Sequence, residues 1–243
     1  MNLNKLFLTN NDCYKAGKKI TVKGIMVHST GANNPWLKRY LPDDGKIGKN
    51  QYGNHWNTAR PGGIQVCVHG FIGKLADGSV ATYQTLPWNH RGWHAGGSAN
   101  NTHIGFEICE DGLSDSTYFN KVYKEAVELC AYLCKEYGLT EKDIICHSEG
   151  YKKGIASNHG DVMHWFPKHG KSMDTFRSDV KKLLSGNTIA AVTELTTVND
   201  IVWELAHRDI ISDSALWLKK LEEDTNSYWL ARKTANYLRN KNV

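Results

Sequence analysis

Four potential metal ligands lie close together in one short part of the chain. His147, His159, Asp161 and His164 fall within the glycine- and asparagine-containing stretch 146–166, which follows a short apolar run. Imidazole nitrogens and carboxylate oxygens bind zinc in proteins, and three such ligands leave one position of a tetrahedral site open. An open position indicates chemistry, because zinc makes water a usable nucleophile near neutral pH. The stretch therefore predicts part of a catalytic zinc site.

A loop cannot hold a metal ion alone, so a rigid partner is needed, and the upstream apolar run GIMVHST contains one in His28. A histidine at a strand end, with a histidine and a carboxylate from the later stretch, completes a three-ligand set. His147 is the expected second ligand, and the spacing leaves both Asp161 and His159 open as the third. For any one of the 11 histidines, an ordinary surface or hydrogen-bonded core position is the alternative.

The hydrophobic pattern predicts the elements that position these residues. Short apolar runs rich in β-branched residues predict strands over 22–28, 64–73, 79–85, 103–110 and 143–146. Helical spacing of apolar residues predicts a helix over 118–137, and Ser172 is the expected cap of another over 173–184. This mixture indicates an α/β fold with a mixed central β-sheet flanked by helices.

A small all-helical C-terminal unit is predicted after the polar segment SGNT. The first domain spans 1–186, and three short amphipathic helices follow within 192–243, with Ser212 and Asp213 as expected caps. The expected core of this unit consists of Trp203, Trp217 and Trp229. A unit of this size needs its aromatic residues for packing, and sugar binding is the alternative.

Composition limits the class of protein. The 243 residues, 40% of them hydrophobic, suit a soluble core that folds without disulfides, and we expect the six cysteines to be reduced and mostly buried. The net charge of +5 comes from scattered Lys and Arg, which predicts no nucleic-acid binding. A mildly basic chain suits a carboxylate-rich substrate, with ordinary surface charge as the alternative. Without a long apolar run or a signal peptide, we expect cytoplasmic synthesis and no membrane insertion.

Six segments occur in order within the first 185 or so residues: MVHST, VHGFIGKLADGSVATYQTLP, RGWHAGG, HIGFE, CHSEG and HGDVMHWF. In these segments the chain resembles the zinc-dependent N-acetylmuramoyl-L-alanine amidases of the type-2 family, relatives of peptidoglycan recognition proteins and phage lysins. The last segment departs from the family's usual Lys-x-Asp-Pro-Gly or Lys-x-Cys-Pro-Gly. His159 stands at the lysine position and Val162 at the proline position.

The resemblance implies one zinc ion per chain, bound by His28, His147 and Asp161. It implies that Glu107, alone on an otherwise apolar strand, is the general base for the zinc-bound water. A hydrogen bond from Glu107 to a ligand histidine is the alternative. We expect a protonated His159 to stabilise the tetrahedral oxyanion, unless it is a plain loop histidine.

The resemblance also implies a substrate and a reaction. Trp93 and His94 of RGWHAGG are expected to contact peptidoglycan at the rim of the cleft. The implied reaction is hydrolysis of the amide between the lactyl group of N-acetylmuramic acid and L-Ala of the stem peptide. A non-catalytic peptidoglycan-binding protein and a zinc peptidase acting within the stem peptide are the alternatives. Action on the wall would follow release in phage or prophage lysis, or non-classical export, and the helical unit would serve wall targeting or interaction.

Overall fold

Two parallel strands form the centre of the fold, and alternation along them separates two faces. In the computed structural model, which describes residues 1–185, 198–207 and 210–241, β2 (Gly24–Asn33) pairs in parallel with β5 (His103–Glu110). Successive strand residues point to opposite faces, so every second side chain enters the same core. The large apolar side chains of one face are Ile25, Val27, Ile104, Phe106 and Ile108.

Four more strands complete a six-stranded sheet in the described part of the chain. They are β1 (Leu3–Lys5), β3 (Gly70–Lys74), β4 (Val80–Gln84) and β6 (Ile144–Cys146). The order across the sheet is β1-β4-β3-β5-β2-β6. The β3–β4 pair is antiparallel and the other four neighbouring pairs are parallel, so the predicted mixed sheet is confirmed.

Two long helices cover one face of the sheet. The helices of the first 185 residues are α1 (Asp12–Ala16), α2 (Ser116–Tyr137), α3 (His147–Lys152) and α4 (Met173–Leu184). Helices α2 and α4 bury their apolar sides against β2, β5 and β6 in one continuous core. As predicted, Ser172 caps α4 by accepting a hydrogen bond from the Thr175 amide. Gly138 ends α2 in the left-handed region at φ 65°, where a residue without Cβ is favoured.

The opposite face is covered in part by the long connection between β2 and β3. Tyr40 stacks on Phe71 of β3 with ring centroids 4.9 Å apart, and Trp56 meets Phe71 edge-on at 5.0 Å. This aromatic packing lies over β3 and β4. On the same face, β2 carries His28 and β5 carries Glu107.

The strand predicted over 64–73 is wrong in its first half. The structure begins β3 at Gly70, and Ile64 is 65% exposed. A 3-10 turn, Pro61–Gly63, precedes this segment, and Cys67 forms a single bridge with Trp93. Residues 64–69 therefore precede β3 and are not part of it.

The expectation that all six cysteines are reduced is also wrong. Cys13 and Cys67 form a disulfide across 54 residues of sequence. Pattern reasoning could not foresee the pair, because it depends on α1 lying beside the segment before β3. There the Asn11 side chain donates to the Val66 carbonyl at 3.0 Å. The remaining four are buried free thiols, as expected: Cys109, Cys130, Cys134 and Cys146.

The three predicted C-terminal helices are present, and their buried residues form a cluster of their own. They are α5 (Val198–His207), α6 (Ser214–Glu223) and α7 (Thr225–Lys241), and Asp213 caps α6. Buried Ile201, Leu205 and Leu221 pack together, with Trp217 half-buried beside them. The side chains of Trp203 and Trp229 and most of the predicted domain boundary lie outside the described residues. Of the described helices, none has the length and apolar character that a membrane crossing requires.

Candidate active site

Strand β2 brings His28 to the face of the sheet that α2 and α4 leave open. His28 follows Val27, whose side chain lies in the core on the other face, and it is 1% exposed. In the parallel register, His28 is paired with Glu107 of β5. Paired residues of parallel strands project to the same side, so the imidazole and the carboxylate share one face.

The second histidine begins a helix where the sequence predicted a loop. His147 is the first residue of α3, directly after β6. The Glu149 carboxylate accepts the Cys146 amide at 3.1 Å, and Arg177 of α4 donates to both Glu149 oxygens at 3.0 Å. These bonds fix the first turn of α3, and their long-range partner explains why local sequence did not predict it.

Three donor atoms from distant parts of the chain converge at this point. His28 Nδ1 lies 3.0 Å from Asp161 Oδ2 and 3.1 Å from His147 Nδ1, and the His147 nitrogen lies 3.7 Å from the same oxygen. Within the described residues, these three form the one cluster that could hold a metal ion. Asp161 belongs to this cluster and His159 does not.

The donor set fits zinc. Two imidazole nitrogens and one carboxylate oxygen are a ligand set of catalytic zinc sites, and tetrahedral bonds of zinc length separate donor atoms by about 3.3 Å. The three separations, 3.0, 3.1 and 3.7 Å, bracket that value. A coordinating imidazole must be unprotonated at the donor nitrogen. Burial and the neighbouring His28 lower the pKa of His147 to about 4, although Asp161 opposes this change.

Charge balance at Asp161 favours the ionised carboxylate. Burial raises the pKa of Asp161, but the contacts with His28 and then His147 outweigh it, so the pKa lies below its usual value. Glu107 behaves in the opposite way. Burial first, and then repulsion from Asp161 and Glu110, raises the pKa of Glu107 well above its usual value. Its Oε2 atom is buried without a hydrogen-bond partner among the residues that the structure describes.

The other predicted site residues surround the cluster. His159 is exposed, with its ring 4.7 Å from that of His147. Trp93 is 38% exposed, and the Arg91 guanidinium lies 4.6 Å from its ring. His94 turns inward, with its ring 5.0 Å from the His28 ring.

His164 and His69 have partners outside the cluster. His164, a candidate ligand by sequence, lies outside the cluster, with Nε2 2.9 Å from Glu110 Oε1. His69 is fully buried between the Gly105 backbone and the His90 carbonyl, in a structural position as its sequence context suggested. Sequence reasoning missed Ser157, whose hydroxyl lies 3.3 Å from His147 Nε2. A serine in a polar segment carries no signal of such a contact.

The chain is similar in sequence to known amidases. A family model described as N-acetylmuramoyl-L-alanine amidase matches residues 18–164. N-acetylmuramoyl-L-alanine amidase XlyA of Bacillus subtilis (strain 168) is 30% identical over 136 residues, which cover 49% of this chain and 42% of that protein. A probable N-acetylmuramoyl-L-alanine amidase of Bacillus licheniformis is 31% identical over 100 residues, covering 41% and 26%. The chain thus spans less than half the length of the curated relatives it matches.

Solved structures share the fold. A mutant of PlyL matches with a TM-score of 0.51 at 20% identity, covering 74% of this chain and 99% of that one. The PlyG catalytic domain matches with a TM-score of 0.51 at 19% identity, covering 81% and 100%. At these identities the likeness concerns the fold alone. The family match covers more than half of the chain, and the chain belongs to the N-acetylmuramoyl-L-alanine amidase family.

Proposed function

We propose that this chain hydrolyses the amide between the lactyl group of N-acetylmuramic acid and L-Ala of the peptidoglycan stem peptide. The convergence of His28 Nδ1, His147 Nδ1 and Asp161 Oδ2 carries the proposal. It stands beside a buried carboxylate on the same face of the sheet, in a chain of this family. The substrate is therefore the cell wall, and the route by which the chain reaches the wall stays a prediction.

The three converging residues would hold one Zn²⁺ ion. When bound there, zinc supplies a Lewis acid that polarises carbonyl groups and acidifies water. Two neutral imidazoles and one carboxylate leave a net positive charge on the loaded site, which favours both effects. The burial of His28 and His147 supports this role because it holds both donors in place, and the lowered pKa of His147 leaves that ring neutral.

Glu107 is the proposed general base. It would accept a proton from the attacking water and return it to the amine of the departing L-Ala. Its raised pKa suits the second half of that task, because a group that must donate a proton has to bind it first. A bound cation lowers the pKa of a neighbouring carboxyl, so the loaded site would restore the ionised form needed for the first half.

His159 and Trp93 have proposed roles at the exposed side of the site. A protonated His159, next to the His147 ring, would donate a hydrogen bond to the oxyanion of the tetrahedral intermediate. Trp93 offers an exposed aromatic surface to the muropeptide beside the Arg91 guanidinium. We assign catalysis to residues 1–186. The helical unit within 192–243 is proposed to serve in wall targeting or interaction.

The test is digestion of purified walls by the full chain and by His28→Ala, His147→Ala and Asp161→Ala. We expect the wild-type chain to release new amino termini on Ala, and each variant to lose both bound Zn²⁺ and activity. Ser116→Ala is the matched control, because it removes a serine–histidine contact outside the cluster, between the first residue of α2 and His169. Chelation of the wild type should abolish activity and added Zn²⁺ should restore it.

Three results would contradict the proposal. New amino termini on other residues would indicate a peptidase that acts within the stem peptide. Wall binding without any new end group would indicate a non-catalytic peptidoglycan-binding protein. Full activity of the chelated wild-type chain would remove zinc from the reaction.

A further inference from the structure

The imidazole of His94 connects His28 to a backbone carbonyl. His94 Nε2 lies 3.2 Å from the His103 carbonyl oxygen, which can accept a hydrogen bond but cannot donate one. The proton of a neutral His94 therefore belongs on Nε2, and Nδ1 keeps a lone pair. His94 Nδ1 lies 3.0 Å from His28 Nε2, so the His28 Nε2–H donates a hydrogen bond to His94. The Nδ1 atom of His28 then carries no proton, and its lone pair can bind a metal ion.

A second chain of hydrogen bonds ends on the neighbouring residue of the same segment. The Ser157 hydroxyl donates to the Ala95 carbonyl at 3.3 Å. Its oxygen can then accept from His147 Nε2, which lies 3.3 Å away. This bond places the proton of His147 on Nε2 as well and leaves Nδ1 bare. In both rings, a hydrogen bond at Nε2 therefore leaves Nδ1 as the nitrogen that can bind the metal. The partners in these bonds are His94 for His28 and Ser157, held by the Ala95 carbonyl, for His147.

Glycines allow both chains to form at close range. A Cβ on Gly105 would lie 2.4 Å from His94 Nδ1, so a larger residue there would displace the ring. A Cβ on Gly96 would lie 2.4 Å from the Ser157 hydroxyl, and Gly96 has φ 61°, where side chains are disfavoured. The space for the His94 ring and the Ser157 hydroxyl therefore depends on residues that have no side chain.

We propose that His94 and Ser157 are positioning residues that fix the Nε2–H tautomers of His28 and His147 and so direct both Nδ1 atoms to the metal. The inference rests on the proposed metal centre. It gives His94 a task different from the substrate contact predicted from the sequence. Hydrogen bonds of this kind raise the basicity of a ligand histidine and hold its ring in place.

Zinc affinity of the full chain tests the proposal with a matched pair of variants. His94→Asn and His94→Leu place side chains of nearly equal size at the site, but Asn offers an acceptor to His28 Nε2 and Leu offers none. We expect the Zn²⁺ dissociation constant to rise roughly 10- to 100-fold in His94→Leu and in Ser157→Ala. His94→Asn should recover most of the affinity. Ser116→Ala and His55→Gln, both away from the cluster, should bind Zn²⁺ as the wild type does.

A measurement without metal separates this inference from the proposed function. Without metal, the Asp161 carboxylate lies 3.0 Å from His28 Nδ1 and competes for the ring proton, so the measurement uses the metal-free Asp161→Ala chain. At alkaline pH, where imidazoles are neutral, two-bond ¹H–¹⁵N correlations report which ring nitrogen carries the proton. In this background we expect Nε2–H for His28 and His147, and loss of that preference at His28 when His94→Leu is added and at His147 when Ser157→Ala is added.

The possible results divide clearly. If the wild type fails to bind Zn²⁺, the metal centre is wrong, and the tautomers of the metal-free chain still decide the inference. If the wild type binds Zn²⁺ and His94→Leu binds it equally tightly, the positioning role is overturned. Nδ1–H tautomers of His28 and His147 in the metal-free Asp161→Ala chain would overturn it as well.

Discussion

At the scale of single residues, the buried Glu107 carboxyl group destabilises the folded chain but suits the proposed role of general base. Its carboxyl group is buried, and one oxygen finds no hydrogen-bond partner in the described part of the chain. A buried polar group without a partner destabilises the folded state. Buried titratable residues of this kind are typical of active sites, so the position of Glu107 indicates a role in the reaction.

Replacement of Glu107 should therefore separate activity from stability. In Glu107→Gln we expect wall hydrolysis to fall by roughly 10²- to 10⁴-fold, because the neutral amide cannot accept the proton of water. Zn²⁺ content should be unchanged, and the thermal unfolding midpoint should be equal or higher. Metal analysis, end-group release and calorimetry test these three points. Full activity would leave Glu107 without its assigned role.

His69 provides a prediction about pH. Burial lowers the pKa of His69 from 6.5 to about 4, although hydrogen bonds to the His90 and Gly105 backbone oppose the change. As the pH falls, His69 is protonated at a higher pH in the unfolded chain than in the folded chain. The contribution of the neutral ring is therefore fully present above pH 6.5 and lost as the pH falls to about 4. The loss is about 3 kcal/mol in the free energy of unfolding.

The measurement is urea unfolding of the chelated chain across this pH range. Wild-type stability should fall more steeply with acid than that of His69→Gln, whose amide can accept from Gly105 and donate to the His90 carbonyl. The difference in slope should approach one proton, or about 1.4 kcal/mol per pH unit. Parallel slopes for the two proteins would contradict the assignment.

At the scale of elements, the short helix α3 depends on a partner outside itself. Arg177 of α4 donates to both oxygens of Glu149 and to the Ile144 carbonyl. Glu149 in turn accepts the Cys146 amide. Charge-assisted bidentate bonds are stronger and more directional than single neutral ones. They join β6, α3 and α4 at the point where His147 leaves the sheet.

Removal of the Arg177–Glu149 contact should lower the stability of the folded chain. We expect Arg177→Ala to lower the free energy of unfolding by about 1–2 kcal/mol. The expected loss is small because the Arg177 and Glu149 side chains are 21% and 26% exposed, so solvent partly screens their charges. Lys182→Ala on the same helix is the control, since Lys182 is 68% exposed and pairs with Asp179 in the same helix. Equal losses in the two variants would show that Arg177 has no special role.

The elements differ in how far the sequence could predict them. Helix α4 and its Ser172 cap, and strand β5, have the predicted bounds, because hydrophobic period and capping are local properties. Helix α3 could not be predicted, since its first turn depends on Arg177, 30 positions beyond its first residue. The first half of the strand predicted over 64–73 was wrong because apolar content alone does not show whether a segment pairs with a neighbouring strand.

At the scale of the whole molecule, the disulfide joins α1 to the segment that precedes β3. Cys13 belongs to α1, and the backbone of Cys67 pairs with that of Trp93 in both directions, at 3.1 and 3.0 Å. Trp93 precedes His94. The covalent link therefore restrains the segment that carries the proposed positioning residue.

Loss of the link should lower stability. We expect reduction, or the double variant Cys13→Ser/Cys67→Ser, to lower the free energy of unfolding by about 2–4 kcal/mol, because it releases a loop of 54 residues in the unfolded chain. Denaturant midpoints with and without a reductant provide the measurement. The double variant should not respond to the reductant. Equal midpoints for reduced and oxidised wild type would contradict the prediction.

The site as a whole was only partly accessible from sequence. His28 and His147 follow from apolar runs that end in histidine, and the family resemblance favoured Asp161 over His159. The distances now group Asp161 with the two histidines. The partners behind the ligands, His94 and Ser157, depend on how rings and hydroxyl groups are turned across 66 and 10 residues of sequence. No spacing rule contains that information.

The burial of the remaining thiols has a practical consequence for labelling. Burial raises the pKa of each free cysteine, and a thiol that does not ionise reacts slowly with alkylating reagents. With the other two cysteines paired, the folded chain offers no reactive sulfur. A cysteine introduced by Tyr52→Cys, at a position 84% exposed, would accept one fluorophore at one known place. Attachment of the protein to wall fragments could then be followed by fluorescence without first removing any native cysteine.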